Sequence, residues 1–347
     1  MTAKKLSRRK FLELISMEMP IGLFGTSFAK SGRKIFFKTE DYDLAVAKGG
    51  KFSSSFEASY NRIKVAVDGF GGMHSFVKGK KALIKVNAID NSNQLGNTSS
   101  EALYAVIKLC KEAGAESVIV LSHDKGWTTL SKKHPSLKET IINQGAELFI
   151  LTNDKQHYIK QSLDKGGWHK LYVAKILYDP DTVLINVPRA KTHPWTCYTM
   201  CIKNLMGLVR DMNHFHSGGG AVWPDFPFRM AAAYKYIFRE KVSLNILDCM
   251  LLVYGWRSPA PERMGTFNED AVIVGPDALA IDAYGIEMFH RHNPKKFMVA
   301  LGDWNTRGNF YANHNLSKGN YIKECYAIKA GKADISKLKI NMIDFNT

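Results

Sequence analysis

Short, nearly unbroken apolar runs separated by helix-length segments constrain this chain more than any other feature. Ser117 to Leu121 is apolar almost throughout, and so are Ala82-Leu83-Ile84-Lys85-Val86-Asn87 and Thr182-Val183-Leu184-Ile185-Asn186-Val187. Runs of this kind belong to strands covered on both faces, as in a parallel sheet. The segments between them carry helix stop signals. Phe56 to Phe70 places Ile63, Val65, Ala66 and Phe70 on a helix closed by Gly71-Gly72, and Ser100 to Ala113 follows a serine cap and stops at Gly114. Further helices are predicted at 137–144, 197–209, 228–240 and 278–290, and further strands at 42–47, 148–151, 243–247 and 271–274. The alternation predicts an α/β fold, a largely parallel central sheet with helices on both faces. Residues 42–300 are expected to form this domain, with 301–347 as a polar C-terminal extension packed on it.

Composition narrows the class. Apolar residues are 45% and charged residues 23% of the 347, which is globular composition. No run of about 18 apolar residues occurs, so no integral membrane span is expected. Five Cys are too few for a disulfide scaffold. Lys plus Arg number 48 against 32 Asp plus Glu, a formal charge of +16. Part of that excess lies in Lys4, Lys5, Arg8, Arg9 and Lys10, ahead of a moderately apolar stretch from Phe11 to Phe28. Ser7-Arg8-Arg9-Lys10-Phe11-Leu12 reads as a twin-arginine export signal, with Ser27-Phe28-Ala29 as a cleavage site. The competing reading is a basic amphipathic helix, since Glu13, Glu18 and Pro20 interrupt the apolar region. Residues 1–29 are thus expected to be a signal peptide and 30–41 a tether, with the twin-arginine translocase as partner and a periplasmic or extracytoplasmic destination. The remaining +13 is spread over single and paired lysines such as Lys80-Lys81 and Lys132-Lys133. With no nucleic-acid-binding signature, that charge suits an anionic small molecule, a polysaccharide, a phospholipid surface or an acidic protein partner better than a nucleic acid, and does not choose among them.

In open parallel sheets, ligands bind beyond the carboxyl ends of the strands. Asn87, with Asp90, Asn91 and Asn93, follows one apolar run, and His123-Asp124 follows another. Asn186-Val187-Pro188 leads into a basic loop holding Arg189, Lys191, Thr192 and His193, Asp248 ends Asn245-Ile246-Leu247, and Asp277 follows Val274-Gly275-Pro276. Lys203 and Asn204 stand on an otherwise apolar helix, where an ammonium requires compensation. Lys203 either holds a carboxylate or phosphate, transfers a proton, or is a structural ion pair or snorkelling stem. His214-Phe215-His216 precedes Ser217-Gly218-Gly219-Gly220. On an extended segment both imidazoles point the same way and can meet one divalent metal; the alternative is a plain loop. Cys197 and Cys201, four apart near His193, read as ligands or as small buried apolar residues. No ferredoxin-type iron–sulfur motif, nucleophile elbow or H-E-x-x-H helix is present.

Taken together, these stretches resemble the bacterial and archaeal family called domain of unknown function 362. The likeness rests on Leu184-Ile185-Asn186-Val187-Pro188-Arg189-Ala190-Lys191-Thr192-His193 and on Ile202-Lys203-Asn204-Leu205-Met206-Gly207. Gly71-Gly72-Met73, Lys85-Val86-Asn87, Asn245-Ile246-Leu247-Asp248 and Pro276-Asp277-Ala278-Leu279-Ala280-Ile281-Asp282-Ala283 match the family's other patterns, across roughly 42–300. Val86 stands where the family usually has Pro, and Arg189 where Lys is commoner. Some members carry an added ferredoxin module, which this chain lacks; others begin with a twin-arginine signal. The resemblance implies the fold and the site's location, and no reaction.

The expectation is an exported enzyme acting on an anionic small molecule. Lys191, His193 and Lys203 would supply electrostatic or acid–base catalysis, and Asn87, Arg189, Thr192, Asn204, Asp248 and Asp282 would bind substrate. A divalent metal on His214 and His216, or redox chemistry, is a subordinate expectation. The alternative is a non-catalytic accessory protein holding a cofactor, metal or partner for another periplasmic enzyme.

Overall fold

The computed structural model describes residues 42–49, 55–89, 94–123, 136–163, 168–193, 196–211, 215, 225–255, 264–302, 304 and 319–345. In chain order these form β1 (Leu44–Lys48), α1 (Phe56–Asp68), α2 (His74–Val77), β2 (Lys81–Val86), α3 (Ser100–Glu112), β3 (Ser117–His123) and α4 (Ser136–Asn143). There follow β4 (Glu147–Leu151), β5 (Tyr158–Leu163), β6 (Trp168–Ala174), β7 (Thr182–Val187), β8 (Arg189–His193), β9 (Cys197–Thr199) and α5 (Cys201–Leu205). The last are α6 (Phe226–Ala233), β10 (Val242–Tyr254), β11 (Gly265–Gly275), α7 (Ala278–His292), α8 (Tyr321–Ala327) and β12 (Ile340–Asp344). The predicted signal and tether, Asp90, Asn91, Asn93, Asp124, His214, His216 and the Gly218–Gly220 run lie outside the described residues.

The central sheet runs β12-β1-β11-β10-β7-β2-β3-β4. From β10 through β7, β2 and β3 to β4 every pairing is parallel. β11 is antiparallel to both β10 and β1, and β12 is parallel to β1. The sheet is therefore largely parallel, as the apolar runs predict. Side chains alternate across it. Ala82, Ile84, Val86, Val120, Ile185 and Ile246 pack on one face with α1, α3 and α4. Leu83, Leu121, Leu184 and Leu247 pack on the other with α5, α6, α7 and α8. Side-chain caps begin four of the described α-helices: Ser55 Oγ accepts from Ala58 N at 3.0 Å, Ser99 Oγ from Ala102 N at 3.2 Å, Asp277 Oδ1 from Leu279 N at 2.9 Å, and Asn320 Oδ1 from Ile322 N at 2.9 Å.

Four segments depart from the expected pattern. The helix expected at 197–209 is divided: Cys197–Thr199 forms β9, and α5 begins only at Cys201, before a single 3-10 turn at Met206–Leu208. Cys197 adopts a φ of 59°, and the Asp282 carboxylate takes the Cys201 and Ile202 amides, which fixes where the helix starts. Cys197 and Cys201 consequently do not share a helical face. The basic stretch 189–193, expected as a loop, is strand β8, paired with β10 and β9. A hairpin, β5 and β6, is not expected from the sequence, because its aliphatic residues Ile159, Leu163, Leu171 and Val173 are mixed with polar and aromatic ones. Finally, the C-terminal extension supplies α8 and the edge strand β12. Among the described residues no helix is long and apolar enough to cross a membrane.

Candidate functional site

One row of the sheet is polar where its neighbours are aliphatic. Lys85 of β2 lies opposite Asn186 of β7, and Asn186 opposite Asn245 of β10. The pleat puts all three on the face covered by α5, the face of Leu83, Leu184 and Leu247. α5 inserts Asn204 into this row. Asn204 Nδ2 donates to Asn186 Oδ1 at 2.8 Å and to the Lys85 carbonyl at 3.2 Å. Asn186 Nδ2 donates to Asn245 Oδ1 at 2.9 Å and to the Cys201 carbonyl at 3.0 Å. Asn245 Nδ2 in turn reaches the carbonyls of Gly275 and Pro276 at 3.4 and 3.3 Å. Backbone carbonyls take only donors, so they fix the sense of every amide in the chain. The oxygen of Asn204 is therefore left to face Lys85.

Lys85 Nζ sits 2.5 Å from the Val86 carbonyl and 3.4 Å from Asn204 Oδ1. The residue is 4% exposed, and burial alone pulls its amine down to about 7. Gly207 lies against it: a Cβ there would come within 3.1 Å of both Lys85 Cε and Nζ. A lysine at pKa near 7 can exist as a neutral amine at ordinary pH, which gives it nucleophile and base chemistry that a surface lysine lacks.

The next level of the sheet carries the predicted strand-end residues. Lys191 of β8 is fully buried, with Nζ 3.4 Å from Asn87 Oδ1 and also donating to the Gly96 carbonyl. Arg189 pairs with Asp248 through Nε and Nη2, both at 3.1 Å from Asp248 Oδ2. That same oxygen accepts the Ser99 amide at 3.1 Å, at the start of α3, where the helix dipole favours a negative charge. Thr98 ties the loop to the strands, donating to the Val187 carbonyl at 2.6 Å and accepting the Asn87 amide at 2.8 Å. Thr192 Oγ1 accepts the Gly255 amide at 3.0 Å.

Of the residues picked out from sequence, the structure brings Asn204 to Lys85 on the α5 face, and places Asn87 with Lys191 and Arg189 with Asp248 near the loop that starts α3, beyond the carboxyl ends of β2 and β7 and beside the middle of β10. Thr192 and His193 lie farther along β8, His193 opposite Cys197 of β9. Lys203 is half-buried on α5; a helix turns by ~100° per residue, so with Asn204 turned to the sheet its neighbour points elsewhere. Asp282 is on α7, beneath the start of α5, accepting from Cys201 N at 2.7 Å, Ile202 N at 3.0 Å and the Tyr321 hydroxyl at 3.1 Å. Burial raises its carboxyl to about 7 against the lowering effect of those donors. Sequence reasoning passed over Lys85, Asn186, Asn245, Thr98 and Ser99. The usable signal was a lysine and two asparagines inside apolar runs, positions where a polar group needs a partner. Among the described residues no group of three or more His, Cys, Asp or Glu side chains is placed to hold a metal ion.

A family model described as domain of unknown function (DUF362) matches residues 82–287, more than half of the chain. The thylakoid-associated protein sll1697 of Synechocystis sp. is 29% identical over 243 residues, which cover 66% of this chain and 70% of that protein. A crystal structure of a Thermotoga maritima protein aligns at 12% identity with a TM-score of 0.43, over 68% of this chain and 59% of that one.

Proposed function

This chain belongs to the DUF362 family, and we propose that it is an exported enzyme acting on an anionic small molecule beyond the carboxyl ends of β2 and β7, beside the start of β8 and the middle of β10. The observation that carries this reading is the full burial of Lys191 against the side-chain amide of Asn87 beyond the carboxyl end of β2, beside the buried Arg189–Asp248 pair. A cation held out of water attracts an anion far more strongly than one at the surface. Arg189 and Asp248 already neutralise one another, so the pair stiffens the wall of the site and leaves substrate binding to Lys191 and the amides. His193, on β8, is the acid–base candidate; Lys203, which α5 turns away from the Asn204 row, stands apart from it. His214 and His216 as ligands of a divalent metal would make the reaction metal-dependent, and elemental analysis of the protein, before and after exchanging both for Ala, tests that.

Binding is measured directly by the rise in thermal midpoint with phosphate, sulfate and small carboxylates. A response that falls at least tenfold in apparent affinity in Lys191→Met, with the fold intact by circular dichroism, is the expected result. An equal response in wild type and variant sinks the site. For export, residues 1–29 fused to a folded reporter should move it out of the cytoplasm, and Arg8→Lys with Arg9→Lys should stop it.

A further inference from the structure

β8 lies between β10 and β9, so Lys191 has a strand neighbour on each side, Val253 of β10 and Thr199 of β9. Residues directly opposite one another in an antiparallel ladder point to the same face of the sheet. Lys191 and Thr199 therefore share one face. Thr192 and Tyr198 share the other, where the Tyr198 ring meets Phe289 at 5.5 Å and Trp304 at 5.4 Å. Val253 is aliphatic, which leaves Thr199 as the polar neighbour of Lys191 across the ladder. Thr199 is 3% exposed, and among the described residues its Oγ1 has no hydrogen-bond partner. Other threonines nearby are satisfied. Thr192 Oγ1 accepts the Gly255 amide at 3.0 Å, Thr196 Oγ1 donates to the Tyr198 carbonyl at 2.7 Å, and Thr98 Oγ1 donates to the Val187 carbonyl at 2.6 Å. A buried hydroxyl without a partner is a standing cost, and valine would fill the same shape without it. On the other flank, β10 advances five residues, from Asp248 to Val253, while β8 advances two, from Arg189 to Lys191. A bulge of this kind interrupts the ladder and re-aims the side chains beside it.

We propose that Thr199 is the second donor to the anion held by Lys191, an oxyanion with at least two terminal oxygens, one set against Lys191 Nζ and another against Thr199 Oγ1. This rests on the anion-site reading above and adds a binding residue to it. Directly opposed residues of an antiparallel pair have Cα atoms ~4.5–5.5 Å apart, so one bound anion can reach both side chains. The two groups supply different things. The ammonium brings charge, and its bonds to Asn87 Oδ1 and the Gly96 carbonyl fix its direction. The hydroxyl is neutral, turns about its Cβ–Oγ1 bond, and donates to whichever oxygen lies nearest. Arg189, two residues back on β8, is matched by Asp248 and does not compete for the ligand. Binding then gives the Thr199 hydroxyl the partner that the free protein denies it, so a group that weakens the empty fold strengthens the complex.

The test follows the thermal midpoint of the full-length protein against phosphate, sulfate and acetate at constant ionic strength, in wild type, Thr199→Val, Thr199→Ser and Lys191→Met. In Thr199→Val the apparent affinity should fall about tenfold. Without added anion the midpoint of the same variant should rise, because a methyl of the same shape has replaced an unpartnered hydroxyl. Thr199→Ser keeps the hydroxyl and should bind within about twofold of wild type. That opposition between stability and affinity, with rescue by serine, is what a packing role would not produce. A lower midpoint in both Thr199 variants with unchanged affinity shows packing alone and overturns the proposal. Wild-type affinity in Thr199→Val, while Lys191→Met still weakens binding, also overturns it and leaves the anion site standing without Thr199. If wild type responds to none of the three anions, both readings fall.

Discussion

At the scale of single residues, two buried groups give the chain opposite responses to pH. Lys85 is lowered from 10.5 to about 7. Between those values the unfolded chain carries a proton that the folded one has released, so stability rises with pH across the window. Asp282 is raised from 3.8 to about 7. There the folded chain keeps a proton that the unfolded one has lost, so its contribution falls as pH rises from about 4 to 7. Each slope approaches about 1.4 kcal/mol per pH unit for one proton. Denaturant titrations should show Lys85→Met losing the rise above pH 7 and Asp282→Asn losing the fall below it. A variant whose pH profile parallels wild type would contradict the assignment. Arg189→Met is a further residue-scale case. It leaves a wholly buried Asp248 carboxylate with the Ser99 and Met250 amides alone, and should cost about 3–5 kcal/mol in chemical denaturation.

At the scale of elements, the amide chain binds α5 to three strands. Asn186 is its centre, serving Asn204, Asn245 and the Cys201 carbonyl at once. Asn186→Leu fits the volume but abandons those partners in the core, and should destabilise by about 2–4 kcal/mol. The same change on a solvated strand would be close to neutral. The approach of α7 to this layer depends on Gly285, where a Cβ would meet Leu247 Cδ2 and Met200 Sδ at 2.9 Å. Gly285→Ala should therefore lower stability by about 1–3 kcal/mol in spite of alanine's better helix propensity. A stabilised variant in a urea titration would show that the contact yields freely. Element boundaries were the part least legible in the sequence. Residues 197–209 carry helix-compatible residues, yet a carboxylate 81 residues away at Asp282 sets the helix start at Cys201. β8 hid behind its own charges, since Arg189, Lys191 and His193 look like a loop until their buried partners are known.

At the scale of the molecule, the C-terminal extension completes the fold. Tyr321, Ile322 and Cys325 of α8 are fully buried in the larger apolar layer, and β12 covers the edge of β1. Ending the chain at residue 300 would uncover that layer and leave the Asp282 carboxylate without Tyr321. Such a truncation should be recovered only as aggregate or as a molten species, which exclusion chromatography and near-ultraviolet circular dichroism would distinguish from the native protein. The order β12-β1-β11-β10 could not be read from local pattern, because it sets β1, near the start of the described chain, between β11 and β12, near its end.

The sequence by itself determined the class of fold and the two-faced burial of β2, β3 and β7, because apolar periodicity is a local property that burial must respect. Only the tertiary structure decided which polar residues belong together. It paired Arg189 with Asp248, placed Asp282 under α5, and brought Lys85, silent within an apolar run, into line with Asn186, Asn204 and Asn245. Those partnerships join residues tens to more than a hundred positions apart. A buried polar group is satisfied by whatever the fold sets beside it, and one-dimensional order carries no record of that neighbour.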